Sequence, residues 1–362
     1  MKRKTLALAL VLSMLCLLLA GCGSAATPAA PAASEAPAAD AAAPAEEAAP
    51  AEPAEKIIVK IGYENNPGEP IDKACNAWAE YLDEMSGGTM EMQCYPSSQL
   101  GSKNDIIDQM LAGDNVITLA DGAFMSDRGA KDMGIQFAPF LFDNYDEAWK
   151  LVDSDWWTEQ LDICRSNGLE ILTSKFVYGT RNLMTVKPVH SVEDLKGMKI
   201  RVPNNTIQVK GFEALGAVAT PMALGEVYTA LQQGTIDGVE NPASALLGLG
   251  FGEVAKYLIV DQHVLNTTIW LTGTTWFSTL TEEQQQWLKD SGDKAGLVSE
   301  QLNAELEESA LASLAEQGVE VYYPTEEELQ GFKDAAVSFY DFPEVKELFS
   351  EGLYEKVISI IK

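Results

Sequence analysis

Histidine and cysteine are scarce in this sequence. Only His190 and His263 occur among 362 residues, which is too few for a histidine metal cluster. The cysteines beyond residue 22 are Cys75, Cys94 and Cys164. Their odd number and the lack of a CxxC pair favour neither a zinc site nor a disulfide framework. We therefore expect no metal and no cofactor, and leave open whether Cys75 pairs with Cys94.

Basic residues are also few. The chain has 25 Lys and Arg against 54 Asp and Glu, a formal net charge of −29. Binding to a phosphate backbone needs basic patches, so we expect no nucleic acid partner; the excess of acid suits solubility at a cell surface. Beyond the first 21 residues the arginines are Arg128, Arg165, Arg181 and Arg201.

Motifs of nucleotide-binding and hydrolytic enzymes are absent. The sequence contains no GxGxxG, no GxxxxGK[ST] and no GxSxG, the signatures of dinucleotide sites, phosphate loops and nucleophile elbows. Acidic pairs such as Glu46-Glu47 have no spacing that selects two catalytic carboxylates. These absences identify no catalytic site, and a pair of catalytic carboxylates stays open at this point. A secreted hydrolase that uses surface carboxylates is therefore an alternative to a binding protein, and turnover of a bound acid would distinguish the two.

The amino terminus predicts a lipoprotein signal peptide at residues 1–21. Lys2-Arg3-Lys4 precedes an apolar run, Leu6 to Leu19, which is shorter than the roughly 20 residues that a spanning helix needs. The run closes with Leu19-Ala20-Gly21-Cys22, which resembles a bacterial lipobox, and we expect Cys22 to be lipidated. The alternative is an uncleaved anchor helix in which the cysteine is incidental.

Residues 22–55 follow as a low-complexity segment. After Cys22 they are almost wholly Ala, Pro, Ser, Thr and acid, with no apolar surface to bury, so we predict a disordered tether. At about 3.1 Å per residue it would reach at most roughly 100 Å. The sequence therefore predicts an extracytoplasmic body, lipid-anchored to the outer face of the cytoplasmic membrane or in a periplasm.

Two stretches of the remaining chain repeat one order of elements: strand, helix, strand, helix, strand. The predicted strands are Ile57–Tyr63, Met90–Tyr95 and Val116–Ala120, then Met198–Val202, Ala217–Thr220 and Thr235–Val239. Such alternation predicts parallel sheets with right-handed crossovers. Ligands bind these sheets outside the carboxyl ends of the strands. We therefore predict two α/β lobes with mainly parallel sheets around a ligand cleft.

The last third of the chain predicts a long helix. Thr281 with Gln284 matches a capping box, and apolar residues then recur at helical spacing for about 35 residues. Gly292 and Gly296 predict a bend within it. A helix of that length could link both lobes. We place lobe I at 56–178 plus about 267–306, and lobe II at 179–266 plus about 307–362.

Three segments carry a family resemblance. LKGMKIRVPNN (195–205), GAVATPMALGEVYTALQQGTIDGVENP (216–242) and YPSSQLGS (95–102) resemble the DctP-type solute-binding proteins of tripartite ATP-independent periplasmic (TRAP) transporters. The resemblance extends over nearly all residues from Ile57 onward. It implies a periplasmic-binding-protein-like fold whose lobes, linked by hinge strands and a long spanning helix, close over a small organic acid and deliver it to membrane permease subunits. It also implies a binding protein and not an enzyme. A receptor for an ABC-type importer or a signalling system is the alternative.

The resemblance implies a carboxylate site. Arg201, in KIRVPN, matches the arginine that pairs with the ligand carboxylate, and a guanidinium fork suits that geometry. Arg181, in YGTRNL, matches a second arginine near the same group, and Asn241, in ENP, an asparagine that hydrogen-bonds it. From the local pattern alone, Arg201 could instead be a solvent-facing strand residue, Arg181 a hinge residue and Asn241 a turn cap.

Other positions bear on ligand specificity. Glu64 and Asn65 end the first strand and Asp121 follows the third, where similar family positions contact the distal part of the ligand. Leu224, in MALGEVY, stands where many members have an aromatic residue, and Phe124 where sialic-acid-binding members have arginine. These departures argue against sialic acid. The acidic distal pocket predicts hydroxyl or amine donors on the ligand, as in a sugar acid.

Two further residues complete the predicted ligand site. Asn204 lies in the loop directly after the strand that carries Arg201. Trp270 is a candidate aromatic contact, although the local pattern also explains it as a core residue.

Overall fold

The structure is a computed structural model and describes residues 56–362. The predicted signal peptide, the predicted lipidation site at Cys22 and the tether lie outside the described residues. Within them, nine strands form one mixed sheet. They are β1 (Ile57–Gly62), β2 (Met90–Tyr95), β3 (Val116–Ala120), β4 (Leu169–Thr185), β5 (Lys199–Val202), β6 (Val218–Pro221), β7 (Gly238–Pro242), β8 (Tyr257–Gly273) and β9 (Glu320–Tyr322).

Helices cover the sheet and fill most connections. The α-helices of the described range are α1 (Pro70–Met85), α2 (Lys103–Ala112), α3 (Gly122–Ser126), α4 (Tyr145–Val152), α5 (Asp155–Ser166), α6 (Thr206–Ala214), α7 (Val227–Gln232), α8 (Ala243–Gly248), α9 (Thr274–Phe277), α10 (Glu282–Glu316), α11 (Glu326–Ala336), α12 (Pro343–Leu348) and α13 (Leu353–Ile361). None of them combines the length and the apolar character that a bilayer crossing requires.

The predicted strand–helix repeat is present twice. In the first repeat (residues 57–127), β1 lies between β2 and β3 and runs parallel to both. In the second repeat (residues 199–250), β5 lies between β6 and β7 and again runs parallel to both. The carboxyl ends of the strands in each repeat therefore share one edge, which is where parallel sheets bind ligands.

The two repeats are joined by a pair of long strands. β4 and β8 are 17 residues each and pair antiparallel, so the sheet order is β2-β1-β3-β8-β4-β7-β5-β6. The pairing shifts register at four points between Ile171 and Leu183, and such irregularities bend and twist strands. The sheets of the two predicted lobes are thus continuous through these hinge strands.

One predicted strand is displaced along the sequence. The strand predicted at Thr235–Val239 is β7, Gly238–Pro242. Its ladder with β4 continues to Pro242, which lies opposite Arg181, so Glu240 and Asn241 belong to the strand itself. Pairing with the long antiparallel strand β4 decides this boundary, and the local apolar pattern does not report it.

The predicted long helix is α10, and its capping box of Thr281 and Gln284 is confirmed. The helix runs through Gly292 and Gly296 without a break. Both glycines allow close packing: a Cβ at Gly292 would meet the Trp78 ring at 2.7 Å, and one at Gly296 would meet the Lys175 carbonyl oxygen at 2.1 Å. α10 packs against α1 of the first repeat and α8 of the second, so it spans both.

The carboxyl terminus attaches to an earlier part of the chain. α13 packs against α4, and the Lys362 Nζ donates to Asp143 and Glu147 at 2.6 Å each. We predicted residues 307–362 as part of lobe II, whereas α4 lies in the range predicted for lobe I. These contacts join the end of the predicted lobe II to the predicted lobe I. The lobe boundaries stay a prediction.

We expect Gly296→Ala to lower the free energy of unfolding by about 1–3 kcal/mol, the usual cost of overpacking. The added methyl group would press on the backbone of β4, which cannot yield without moving a hinge strand. Urea unfolding followed by circular dichroism measures the change.

The matched control is Gly331→Ala in α11, where an added Cβ meets no atom within 4 Å. That substitution should raise stability by up to about 1 kcal/mol through helix propensity. Equal effects of the two substitutions would contradict the tight contact between α10 and β4.

Candidate functional site

A cavity lies where the two repeats face each other. Its empty volume is about 350 Å³, and a neighbouring cavity of about 240 Å³ shares part of its wall, namely Glu64, Lys103, Arg201 and Pro203. Strands of both repeats and both hinge strands contribute side chains to the larger cavity. This is the location that the strand order predicted.

Eight of the ten predicted ligand residues line these two cavities. The larger cavity is lined by Glu64, Asp121, Arg181, Arg201, Leu224 and Asn241, and the smaller one also by Phe124 and Asn204. Asn65 and Trp270 line neither. The structure thus brings most of the predicted set together; what each residue binds remains a prediction.

Trp270 lies in the hydrophobic core. Its side chain is fully buried and its ring packs against Tyr63, Trp78 and Phe176, with centroid separations of 6.4, 5.7 and 5.5 Å. β8 passes the cavity at Asn266 and Thr268 and then continues beneath α1, which carries Trp78. Trp270 is therefore corrected from a cavity residue to a core residue.

Asn65 lies one layer behind the cavity. Its Nδ2 donates to the Glu69 carboxylate at 2.8 Å and to the Tyr178 hydroxyl at 3.3 Å. Tyr178 itself lines the larger cavity. Asn65 therefore positions a lining side chain and does not face the cavity as we predicted.

Arg201 is a buried cation without a carboxylate partner among the described residues. Its side chain comes from β5 and is 2% exposed. Nε and Nη2 both donate to the Met222 carbonyl oxygen, at 3.0 and 2.8 Å, while Nη1 has no hydrogen bond to residues 56–362. Burial lowers the pKa of Arg201 to about 10. The guanidinium therefore stays charged at neutral pH, and an unpaired buried charge is costly unless an anion joins it.

Arg181 differs from Arg201 because its charge is already paired. The Glu240 carboxylate accepts from Nε and, at 2.7 Å, from Nη2; Nη1 donates to Asn266 Oδ1 at 2.9 Å. Burial acts to lower the pKa of Arg181, but the carboxylate of Glu240 outweighs it and the pKa is raised. Of the two predicted arginines, only Arg201 offers uncompensated charge to the cavity.

The Arg181–Glu240 pair extends into a buried network. His263 Nε2 lies 3.3 Å from the Glu240 carboxylate, and His263 Nδ1 lies 3.0 Å from Asp261. Burial opposes charge on both groups, but their partners prevail: Arg181 and His263 lower the pKa of Glu240 to about 2, and Asp261 and Glu240 raise that of His263 to about 9. Two cations and two anions therefore balance where the hinge strands β4 and β8 meet β7.

Asn241 presents an unsatisfied buried atom to the cavity. Its side chain is 1% exposed, and its Oδ1 has no hydrogen-bond partner in residues 56–362. Leaving a buried acceptor unpaired costs about 1–3 kcal/mol. A hydrogen-bonding group of a ligand would remove that cost.

The distal wall is acidic and is balanced by one lysine. Lys103 Nζ lies 3.6 Å from the Glu64 carboxylate and 4.5 Å from the centroid of the Phe124 ring. The Asp121 carboxylate accepts from the backbone N–H groups of Ala123 and Phe124 and so caps α3. Burial raises the pKa of Asp121. This wall favours neutral donors over a second anion.

Several lining residues escaped sequence reasoning. Lys103 directly follows the segment YPSSQLGS that carried part of the resemblance, and Tyr178 stands three residues before Arg181, so both lay next to recognised motifs. Asn266 and Thr268 alternate along β8, and that period of two is the signal that could have found them.

Within residues 56–362 no cluster of three or more His, Cys, Asp or Glu side chains is arranged to hold a metal ion, and Cys75, Cys94 and Cys164 are free thiols.

Known proteins match both sequence and fold. Residues 61–347 match the profile of DctP, the bacterial extracellular solute-binding proteins of family 7. The chain is 30% identical over 303 residues to the uncharacterized protein YiiZ of Salmonella typhimurium, which covers 83% of this chain and 90% of YiiZ.

Two solved structures are similar along their whole length. A TRAP periplasmic solute binding protein from Ochrobacterium anthropi with bound L-fuconate aligns with a TM-score of 0.81 and 40% identity, over 85% of this chain and 100% of that one. A second, from Actinobacillus succinogenes 130z with bound L-galactonate, has a TM-score of 0.80 and 36% identity, over 84% and 99%.

The buried network makes stability depend on pH. Because the folded-state pKa of His263 is raised from 6.5 to about 9, its contribution is complete below about pH 6.5 and is lost as the pH rises through 9. We expect the difference in unfolding free energy between wild type and His263→Gln to shrink across that window. Urea unfolding at a series of pH values measures it.

His190→Gln is the control, because His190 is exposed. It removes an imidazole without touching the buried network, so it gives the reference against which the His263→Gln series is compared. A difference between wild type and His263→Gln that does not change across the window would contradict the raised pKa of His263.

Proposed function

Because this chain belongs to the DctP family of bacterial extracellular solute-binding proteins, we propose that it captures a sugar acid, a monocarboxylate with a hydroxylated carbon chain. Members of the family bind small organic acids for TRAP transporters. The two solved relatives described above hold L-fuconate and L-galactonate, both of which are sugar acids. Three features of the cavity support this ligand class.

The observation that carries the proposal is the unpaired charge of Arg201. The guanidinium is buried at the cavity wall with Nη1 free of protein partners. A ligand carboxylate supplies the missing negative charge and accepts hydrogen bonds in a charge-assisted geometry. Asn241 lines the same cavity. We assign its Nδ2, a donor, to the ligand carboxylate, and its unpaired Oδ1, an acceptor, to a neighbouring hydroxyl group of the ligand.

The distal wall supports a single carboxylate. Lys103 is a cation of this wall, and the Glu64 carboxylate already pairs with it. Asp121, whose pKa is raised by burial, is a second acidic group there. A second carboxylate or a phosphate would be desolvated beside two acidic side chains. Hydroxyl groups would instead donate to these acids.

The ligand couples the two repeats. Its carboxylate would be held by β5 and β7 of the second repeat, and its hydroxyl groups by the ends of β1 and β3 of the first. Only a closed arrangement satisfies both sets of contacts, so binding favours closure about the hinge strands β4 and β8. The closed protein would then deliver the acid to the membrane subunits of a TRAP permease.

We expect a sugar acid to raise the melting temperature by roughly 4 °C at about 100 times its dissociation constant, since that occupancy adds roughly 2.7 kcal/mol to some 300 folded residues. L-fuconate and L-galactonate should give the shift, whereas succinate and sialic acid should not. Thermal unfolding followed by fluorescence measures it. Arg201→Met should abolish the shift, because it removes the unpaired cation.

Arg165→Met is the matched control. The substitution is the same, but Arg165 pairs with Asp162 and Glu170 and does not line the cavity. The ligand should therefore still raise the melting temperature of this variant. The proposal fails if no sugar acid stabilises the wild type, or if Arg201→Met responds as wild type does.

We further propose that a lipid on Cys22 holds the protein at the membrane. Cys22→Ser should move the protein from the membrane fraction to the soluble fraction of cells, because the modified thiol is removed. Fractionation and immunoblotting measure the distribution. Cys94→Ser, in the folded body, should leave the protein at the membrane, and retention of Cys22→Ser there would instead support an uncleaved anchor helix.

A further inference from the structure

The two repeats touch each other at two places outside the cavity lining. Asn66 Nδ2, in the loop after β1, donates to the Gly248 carbonyl oxygen at the end of α8, at 3.1 Å. The Thr206 backbone N–H, at the start of α6, donates to the Asp127 carboxylate after α3, at 2.9 Å. Each hydrogen bond joins the first repeat to the second.

The two contacts use equivalent positions of the repeats. Asn66 follows the first strand of the first repeat and meets the helix after the third strand of the second. Thr206 follows the first strand of the second repeat and meets the end of the helix after the third strand of the first. Reciprocal contacts of this kind are what a two-fold arrangement of similar units produces. The sequence echo therefore creates a matched pair of contacts around the cavity.

The contact at Gly248 is closely built. The Glu69 carboxylate accepts from the Asn66 backbone N–H and from Asn65 Nδ2, at 2.8 Å each, which fixes the loop that carries Asn66. A Cβ at Gly248 would lie 2.6–2.7 Å from the side chain of Glu69. Because both oxygens of Glu69 are engaged, that side chain has little freedom to yield.

The contact at Thr206 is also close. The neighbouring Ile207 packs against Gly134, just beyond the first repeat, where a Cβ would lie 2.8 Å from the isoleucine side chain. Each hydrogen bond between the repeats therefore has a tight glycine contact at or beside it. Such close approaches are lost when the repeats separate.

We propose that these two contacts form a double latch, which stabilises the closed arrangement and slows release of the ligand. None of the four residues Asn66, Asp127, Thr206 and Gly248 lines the cavity, so the latch acts on closure and not on ligand recognition. Interactions present only in the closed state shift the conformational equilibrium towards it. Ligand residence is then set by the latch as well as by Arg201.

Dissociation of L-fuconate, followed by stopped-flow fluorescence on the whole protein, tests the latch. We expect Asn66→Ala and Asp127→Ala each to accelerate dissociation by about fivefold, the loss of the one hydrogen bond that each makes between the repeats. Asn66 also accepts from the Ser97 hydroxyl, but that bond lies within the first repeat. Asn76→Ala is the matched control: its Nδ2 donates to the Asp72 carbonyl oxygen within α1, inside one repeat. That variant should dissociate at the wild-type rate.

Gly248→Ala separates the latch from general destabilisation. Alanine is a better helix former than glycine, so α8 itself is not weakened, but the added methyl group strikes Glu69 and should accelerate dissociation about tenfold or more. Gly331→Ala, with open space around it, should leave the dissociation rate unchanged. Rates for Asn66→Ala and Gly248→Ala that equal those of their controls would overturn the latch.

The latch can be tested even if L-fuconate does not bind, an outcome that would count against the proposed ligand. The radius of gyration from small-angle X-ray scattering of the unliganded protein then decides. We expect Asn66→Ala and Gly248→Ala to increase it relative to wild type, Asn76→Ala and Gly331→Ala. An unchanged radius in all variants would refute the latch.

Discussion

The antiparallel pairing of β4 with β8 is the constraint on which the rest of the structure depends. These two strands join two parallel three-stranded sets into one sheet, and their register shifts place the bend between the repeats. They also carry Arg181, Asn266 and Thr268 to the cavity. The hinge strands and part of the cavity wall are therefore the same piece of backbone, which is why the proposed ligand contacts would be coupled to closure.

Charge is distributed unequally between the two cavity arginines. Glu240 neutralises and orients Arg181, and His263 and Asp261 extend that buried network, whereas Arg201 is left without an ionic partner in the described residues. One arginine thus maintains the architecture of the hinge and the other retains the capacity to bind an anion. In the proposed function, the acidic groups on the facing wall would restrict that anion to a single charged end.

Symmetry between the repeats extends beyond their strand order. In each repeat, the segment that follows the first strand contacts the end of the helix that follows the third strand of the other repeat. Glycines at 134 and 248 make room for these contacts. Closure is therefore favoured by surfaces that surround the ligand without touching it.

The sequence by itself determined the two strand–helix repeats, the long capped helix, the family and the candidates Arg201, Arg181 and Asn241, because these follow from local periodicity, caps and motifs. Tertiary structure alone decided that β7 continues to Pro242, that Trp270 belongs to the core, that Arg181 is neutralised and that Lys103 faces the cavity. Each of these outcomes depends on a partner far away in the chain. A local pattern records which groups a residue offers, but only the fold determines whether another protein group has already taken them.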